Sequence, residues 1–283
     1  MHYPIIHLDF PEYGRPGEAA RHRRRLATVA RLADGMVVSS AETGTAVSRY
    51  LPRVLPIHVA PLGVSLPIGG VTSEAMVRPY FLCVGTIEPR KNHLLLQYLW
   101  RRLVELRGNL APRLLIVGSR GWENENVLDL LDRCTALMGH VVELGAVSDI
   151  RLAALLRSAR ALLMPSFAEG FGLPIAKALS QGSPVICSDL AALRAVGQGV
   201  PEYLDPLCAS AWRDAVQPYT APAPPRRDAQ LARMPDWRRV TWQEHVASAV
   251  AFAEGLPARK RVGVSAPTAR AAAQPDEGWV LAR

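Results

Sequence analysis

The chain has 283 residues, 49% hydrophobic and 20% charged, with a formal net charge of +8. This is the composition of a globular protein with enough length to bury a core. No apolar run approaches the ~18 residues that suggest a membrane span, and MHYPIIHLDFPEYG lacks the basic and apolar regions of a secretory leader. The positive balance suits an anionic partner: a nucleotide, a lipid diphosphate or a membrane surface. Nucleic acid is not expected, because aromatics are only 6% and no helix-turn-helix or zinc-finger pattern is present. Cys83, Cys134, Cys187 and Cys208 show no metal-ligand spacing and read as reduced thiols of a cytoplasmic protein.

Residues 1–18 are turn-rich, with Pro4, Pro11, Gly14, Pro16 and Gly17; His2 and His7 read as surface histidines. A helix is expected over 18–33, with Leu26, Val29, Ala30 and Ala33 on its apolar face. Its run Arg21, His22, Arg23, Arg24 and Arg25 is either a solvated face or a contact for an acidic acceptor or an anionic membrane. A strand over 35–40 leads to Ser40 as cap of a helix over 41–50. Residues 57–64 read as another strand, and 69–79 as a linker.

A buried strand at 80–84 follows. At its carboxyl end stand Gly85-Thr86-Ile87-Glu88-Pro89-Arg90-Lys91-Asn92-His93, with Asn92 expected to cap a helix to about residue 107. Small residues, two adjacent cations and a helix N-terminus form a phosphate-binding pattern. Arg90 offers a planar fork and Lys91 a point charge; the alternative is a merely basic loop. Strand 114–117 ends in Gly118-Ser119-Arg120-Gly121-Trp122, followed by a helix over 126–137, a strand over 141–144 and a helix over 149–158 capped by Ser148.

The stretch 159–189 is a second loop unit: strand 161–164, the loop Glu169-Gly170-Phe171-Gly172, a helix opened by Leu173-Pro174, and strand 184–187. Two glycines beside a carboxylate let backbone approach a ligand closely; the alternative is a tight turn with an exposed acid. Beyond it lie a short helix at 189–196, a strand at 202–204 and a helix at 210–216. The Pro- and Arg-rich segment 218–235 reads as a loop. An amphipathic helix over 241–256 follows, faced by Trp242, Val246, Ala249, Val250 and Ala253. The alternation of apolar strands and helices predicts an α/β doubly wound parallel sheet.

The stretch SFAEGFGLPIAKALSQGSPVICSD resembles the donor-site signature of retaining nucleotide-sugar glycosyltransferases of family 4, which have the GT-B fold. VGTIEPRKN is similar to the same family, especially its bacterial polysaccharide mannosyltransferases, and the resemblance runs over about 3–256. It implies a partial, truncated acceptor-side Rossmann-like domain at 1–68, a complete donor-binding one at 80–240, a crossing helix at 241–256 and a flexible tail at 257–283. The activity implied is transfer of a hexose, mannose in particular, to a polysaccharide or lipid-linked saccharide. Configuration is retained, with no metal and no cofactor beyond the nucleotide-diphosphate sugar as donor substrate. The setting implied is the cytoplasm, or the inner face of the membrane.

In this resemblance Gly85 and Thr86 flank the donor and Arg90 and Lys91 neutralise its diphosphate. Arg120 either lines the nucleotide site or is a solvated charge. Glu169 approaches the sugar, and the loop Gly170, Phe171, Gly172 and Leu173 holds it. The family's second Glu, eight positions after Glu169, is replaced here by Lys177, a departure at the ribose contact. The alternative is therefore a catalytically impaired remnant that binds a nucleotide or a partner subunit.

Overall fold

The computed structural model describes residues 5–67, 78–221 and 224–257. The expected linker and tail fall almost wholly outside the described residues. The first region begins with α1 (Ile6–Asp9), α2 (Glu18–Leu32), β1 (Met36–Val38), α3 (Ala41–Tyr50) and β2 (Ile57–Val59). β1 and β2 form a parallel pair, with α3 as their crossover. Ile5, Leu8, Leu26, Ala46 and Val47 make a small core beneath them. The Ser40 hydroxyl accepts from Thr43 N–H at 3.1 Å and caps α3.

The second region is one parallel sheet of six strands: β3 (Tyr80–Val84), β4 (Arg113–Val117), β5 (Val141–Gly145), β6 (Leu162–Met164), β7 (Val185–Ser188) and β8 (Glu202–Leu204). Their order is β5-β4-β3-β6-β7-β8. The strands are apolar without strict alternation because both faces are covered. Tyr80 and Leu82 of β3 and Leu162 and Met164 of β6 pack on the face carrying α6 (Asp149–Ser158) and α7 (Leu173–Ser180). Phe81, Cys83 and Leu163 pack on the opposite face against Leu96 and Trp100 of α4 (His93–Arg107) and Trp212 and Val216 of α9 (Ala209–Tyr219). This is an α/β fold, a parallel sheet with helices on both faces. No helix among the described residues is long and apolar enough to cross a membrane.

Four local expectations are corrected. Asn92 does not cap α4: it sits at φ 55°, ψ 39°, and its amide donates to the Pro206 carbonyl at 3.1 Å, tying the loop to the end of the sheet. The helix expected over 126–137 splits into α5 (Glu125–Arg133) and a separate 3₁₀ turn at Thr135–Leu137. The segment 218–235 is mostly not a loop. α9 continues through Pro218, and α10 (Pro225–Arg233) follows α8 (Ala191–Gly197) and α9 in chain order. The fully buried Gln230 explains α10: its amide donates to Val185 and Val200 carbonyls at 2.6 and 3.1 Å, so a polar residue fixes the helix to β7.

The last correction concerns α11 (Trp242–Glu254). This helix does cross back to the first region, but not on its apolar stripe. Trp242, Val246 and Val250 are 45%, 54% and 47% exposed. Contact is made instead by His245, Ser248 and Phe252, spaced three and four apart on one helical face. Ser248 hydrogen-bonds His58 at 2.7 Å, and Phe252 stacks on the same ring at 5.0 Å. At the crossing the backbones are so close that a Cβ on Gly63 would lie 2.3 Å from the Trp242 nitrogen.

Candidate active site

In an open parallel sheet, ligands bind beyond the carboxyl ends of the strands, where the strand order reverses. Here that point lies between β3 and β6, which pair at Leu82 and Leu162. The loops leaving those two strands therefore face each other across one crevice, although they are far apart in the chain. The loop after β3 carries Gly85 to Lys91, and the loop after β6 carries Ser166 to Gly172. Phe167 N–H donates to the Arg90 carbonyl at 2.8 Å and locks the two together.

Glu169 is the centre of the arrangement, its side chain only 7% exposed. Lys91 Nζ donates to Oε1, Ser166 Oγ donates to the same oxygen at 2.7 Å, and Arg90 donates to Oε2 at 3.2 Å. Arg90 also pairs with Glu88 at 2.6 Å. Burial alone pushes the Glu169 carboxyl up, but Lys91, Arg90 and the Ser166 hydroxyl outweigh it. The group is held below the ordinary carboxylate value, so it is an anion at neutral pH. A buried carboxylate is tolerable only with such compensation. The sequence places Glu169, Arg90 and Lys91 in two separate motifs; the fold brings them into one ion cluster. Glu88 and Ser166 were overlooked as members, and only their adjacency to the motifs signalled them.

The remaining candidates divide. Gly85 sits against Lys91: a Cβ there would lie 3.3 Å from its Cε. Thr86 is exposed on the same loop. Gly172 has φ 102° and precedes α7; Pro174 has no N–H and Ile175 N–H donates to the Gly172 carbonyl at 2.9 Å. The Phe171 side chain is buried in the core, so only its backbone is available to a ligand. Leu173 is the first residue of α7. Arg120 stands apart from the ion cluster: its guanidinium forks onto Glu143 and Asp132 at 2.7–3.1 Å. Lys177 does not meet Glu169 either; its Nζ pairs with Asp149 at 3.1 Å. Because α7 has only eight residues, Lys177 also falls in its last turn, where the dipole favours a cation.

Hydrogen bonds join the two regions at the site. Ser40 and Thr43, at the N-terminus of α3, donate their hydroxyls to the Gly170 carbonyl at 2.9 and 3.1 Å. The first region thus holds the peptide next to Glu169. Sequence reading assigned Ser40 only as a helix cap.

Residues 78–218, which hold the switch point and both loops, match the family model described as Glycosyl transferases group 1. They form a group 1 glycosyltransferase domain. The chain is 42% identical over 116 residues to the O-antigen chain mannosyltransferase B of Escherichia coli, covering 40% of this chain and 29% of that protein. It is 29% identical over 220 residues to the serotype-specific mannosyltransferase WbdA of Escherichia coli, covering 69% of this chain and 26% of that one. The chain therefore spans less than a third of either relative. Among solved structures, the sucrose-phosphate synthase of Thermosynechococcus elongatus superposes with a TM-score of 0.68 over 89% of this chain and 66% of that one. At 18% identity it speaks for the fold alone. The glycosyltransferase domain thus carries its ion cluster at the switch point of a shared GT-B architecture.

Proposed function

We propose that this chain transfers a hexose, mannose by its similarity to the mannosyltransferases above, from a nucleoside-diphosphate sugar to a hydroxyl of a polysaccharide or lipid-linked saccharide. The observation that carries this reading is the buried Glu169 held by Arg90 and Lys91 beside the N-terminus of α7. Two cations held by the carboxylates of Glu169 and Glu88 are pre-organised for an anion, and a diphosphate brings more negative charge than the one carboxylate, Glu169, that it displaces. In this reading the diphosphate takes over Arg90 and Lys91, and Glu169 turns to the sugar hydroxyls. The C1–O bond then breaks with its electron pair leaving on the phosphate, whose charge the two cations stabilise. The acceptor oxygen bonds to C1 on the same face, with retention, and its proton passes to the departing phosphate oxygen. Arg90 and Lys91 supply the charge stabilisation, so the scheme uses no metal and no cofactor. Gly85 and Thr86 border the phosphates, and the backbone of Gly170, Phe171, Gly172 and Leu173 faces the sugar. The setting proposed is cytoplasmic.

The test is GDP affinity by calorimetry for the wild type, Arg90→Ala and Lys91→Ala. Each charge-assisted contact removed should cost about 1.5–3 kcal/mol. Unchanged affinity in both variants would discard the site.

A second reading, binding without transfer, is favoured by the Lys177–Asp149 pair, which leaves a cation where the resemblance expects a ribose-binding acid. A carboxylate can accept from both ribose hydroxyls, whereas Lys can only donate. Lys177→Glu alone would face Asp149, so the informative protein is Lys177→Glu with Asp149→Asn. We expect it to bind GDP-mannose about tenfold more tightly than Asp149→Asn alone, at matched salt. Equal or weaker binding makes Lys177 part of an adapted site and removes the ground for the second reading.

A further inference from the structure

A second cavity feature lies on the first region's side of Glu169. It is a half-open cleft of about 240 Å³ between α1, α3 and the loop after β6. At about 30 Å³ per water, that is room for one sugar ring and little more. Its walls combine two aromatic residues, Phe10 and Phe167, with three carboxylates, Asp9, Glu42 and Glu169. Two of the carboxylates are engaged. Asp9 is bound by Arg49 at 2.9 Å and by the Tyr50 hydroxyl at 2.7 Å, and Glu169 belongs to the ion cluster. Glu42 differs: its Oε2 is buried with no hydrogen-bond partner among the described residues. A buried acceptor left unmade costs free energy, so this oxygen is shaped for a donor that the chain does not supply.

We propose that this cavity is the acceptor subsite, that it takes an uncharged hexopyranose, and that Glu42 Oε2 receives one of its hydroxyls. The assignment rests on the glycosyl-transfer reading, whose acceptor it specifies. A carboxylate accepts from a hydroxyl through a strong, directional bond, and aromatic faces suit the apolar C–H face of a pyranose. The sign of the charge selects the class. A phosphate here would meet the unpaired Glu42 carboxylate, since Asp9 and Arg49, the one basic residue of the lining, are paired with each other and Glu169 is held by Arg90 and Lys91. The geometry also places the sugar beside the transfer centre, since Glu169 and Gly170 line the same cavity. Thr43, the neighbour of Glu42, holds the Gly170 carbonyl at 3.1 Å. Acceptor occupancy and the donor loop therefore share one helix end.

The experiment is a saturation-transfer NMR titration, without nucleotide, of the wild type, Glu42→Ala and Glu42→Gln. The probes are the methyl α-glycosides of mannose, glucose and galactose, with mannose 6-phosphate as the anionic comparison. The wild type should bind at least one neutral glycoside, and more tightly than mannose 6-phosphate. Glu42→Ala should weaken that binding about tenfold, and Glu42→Gln, which keeps an acceptor oxygen, should recover part of it. Thermal unfolding of the three proteins confirms that the variants are folded. The proposal is overturned if no neutral glycoside binds, if mannose 6-phosphate binds more tightly, or if Glu42→Ala binds as the wild type does. Because nucleotide is absent, these outcomes are independent of the Arg90 and Lys91 test, and either reading can fail alone.

Discussion

Gly118→Ala is expected to cripple folding of the sheet's ligand-binding edge. Gly118 follows β4 with φ 155°, and a Cβ built there would stand 2.0 Å from the Gly85 carbonyl oxygen. The oxygen belongs to backbone and the Cβ position is set by backbone, so no side-chain rotation relieves the overlap. Gly85 N–H in turn donates to the Val117 carbonyl at 2.9 Å, so pushing the strands apart also breaks this bond. Overpacking costs about 1–3 kcal/mol and an unfavourable φ about 1–3 kcal/mol. The expected destabilisation is their sum, about 2–6 kcal/mol. Gly108→Ala is the control: it has φ 51° but nothing within 4 Å of the added Cβ, so it carries only the conformational cost. Urea unfolding of the two variants checks this. If Gly118→Ala is no less stable than Gly108→Ala, the close approach of the two loops is wrong.

The second large effect is a pH dependence set by His93. This residue is 1% exposed in α4, and neither ring nitrogen has a hydrogen-bond partner among the described residues. Burial, helped by the nearby charge of Lys91, pushes its pKa from 6.5 down to about 4. Above 6.5 both folded and unfolded states are neutral and the residue has no effect on pH dependence. As pH falls from 6.5 to about 4, the unfolded chain takes up a proton that the folded chain refuses, so stability falls. With about 1.4 kcal/mol per pKa unit, the loss approaches about 3 kcal/mol by the lower limit. His93→Leu should be at least as stable at pH 8, because two unpartnered nitrogens vanish, and should flatten this limb. Glu169 acts lower. Its contribution is present above the ordinary carboxylate value of 4.5 and is lost as pH falls through its depressed folded value. Burial also lowers the pKa values of His22 and His140, which act in the same direction, so the difference between the wild type and His93→Leu between pH 8 and 5 isolates the share of His93. An equally steep limb in His93→Leu would show that other groups set it.

Much of the fold was legible because local patterns carried it. Tyr80–Val84 and Ala41–Tyr50 were bounded by a Gly and a Ser whose local physics is strong. The two errors with most consequence came from polar residues acting at long range. Gln230 makes a helix out of a segment whose prolines suggested a loop, because its amide satisfies backbone of β7 and the segment after it. On α11 the apolar spacing pointed to Trp242, Val246 and Val250, but His58 and Gly63 accept the face of His245, Ser248 and Phe252. A periodicity shows that a helix has two faces; it does not say which one finds a partner.

The sequence by itself determined the two chemical loops of this protein. Strand ends, glycines and cations are local features whose conformations follow from neighbouring residues, so Arg90 with Lys91 and Glu169 with Gly170 were visible in it. Only the tertiary structure decided that these loops meet. The strand order reverses between β3 and β6, and this sets Glu169 against two cations 78 and 79 positions away. The same folding gave Arg120 to Glu143, Lys177 to Asp149 and Glu42 to a half-open cleft. The reason is physical: charge pairing falls off within a few ångströms, and which charges come that close is fixed by sheet topology and helix docking rather than by separation along the chain.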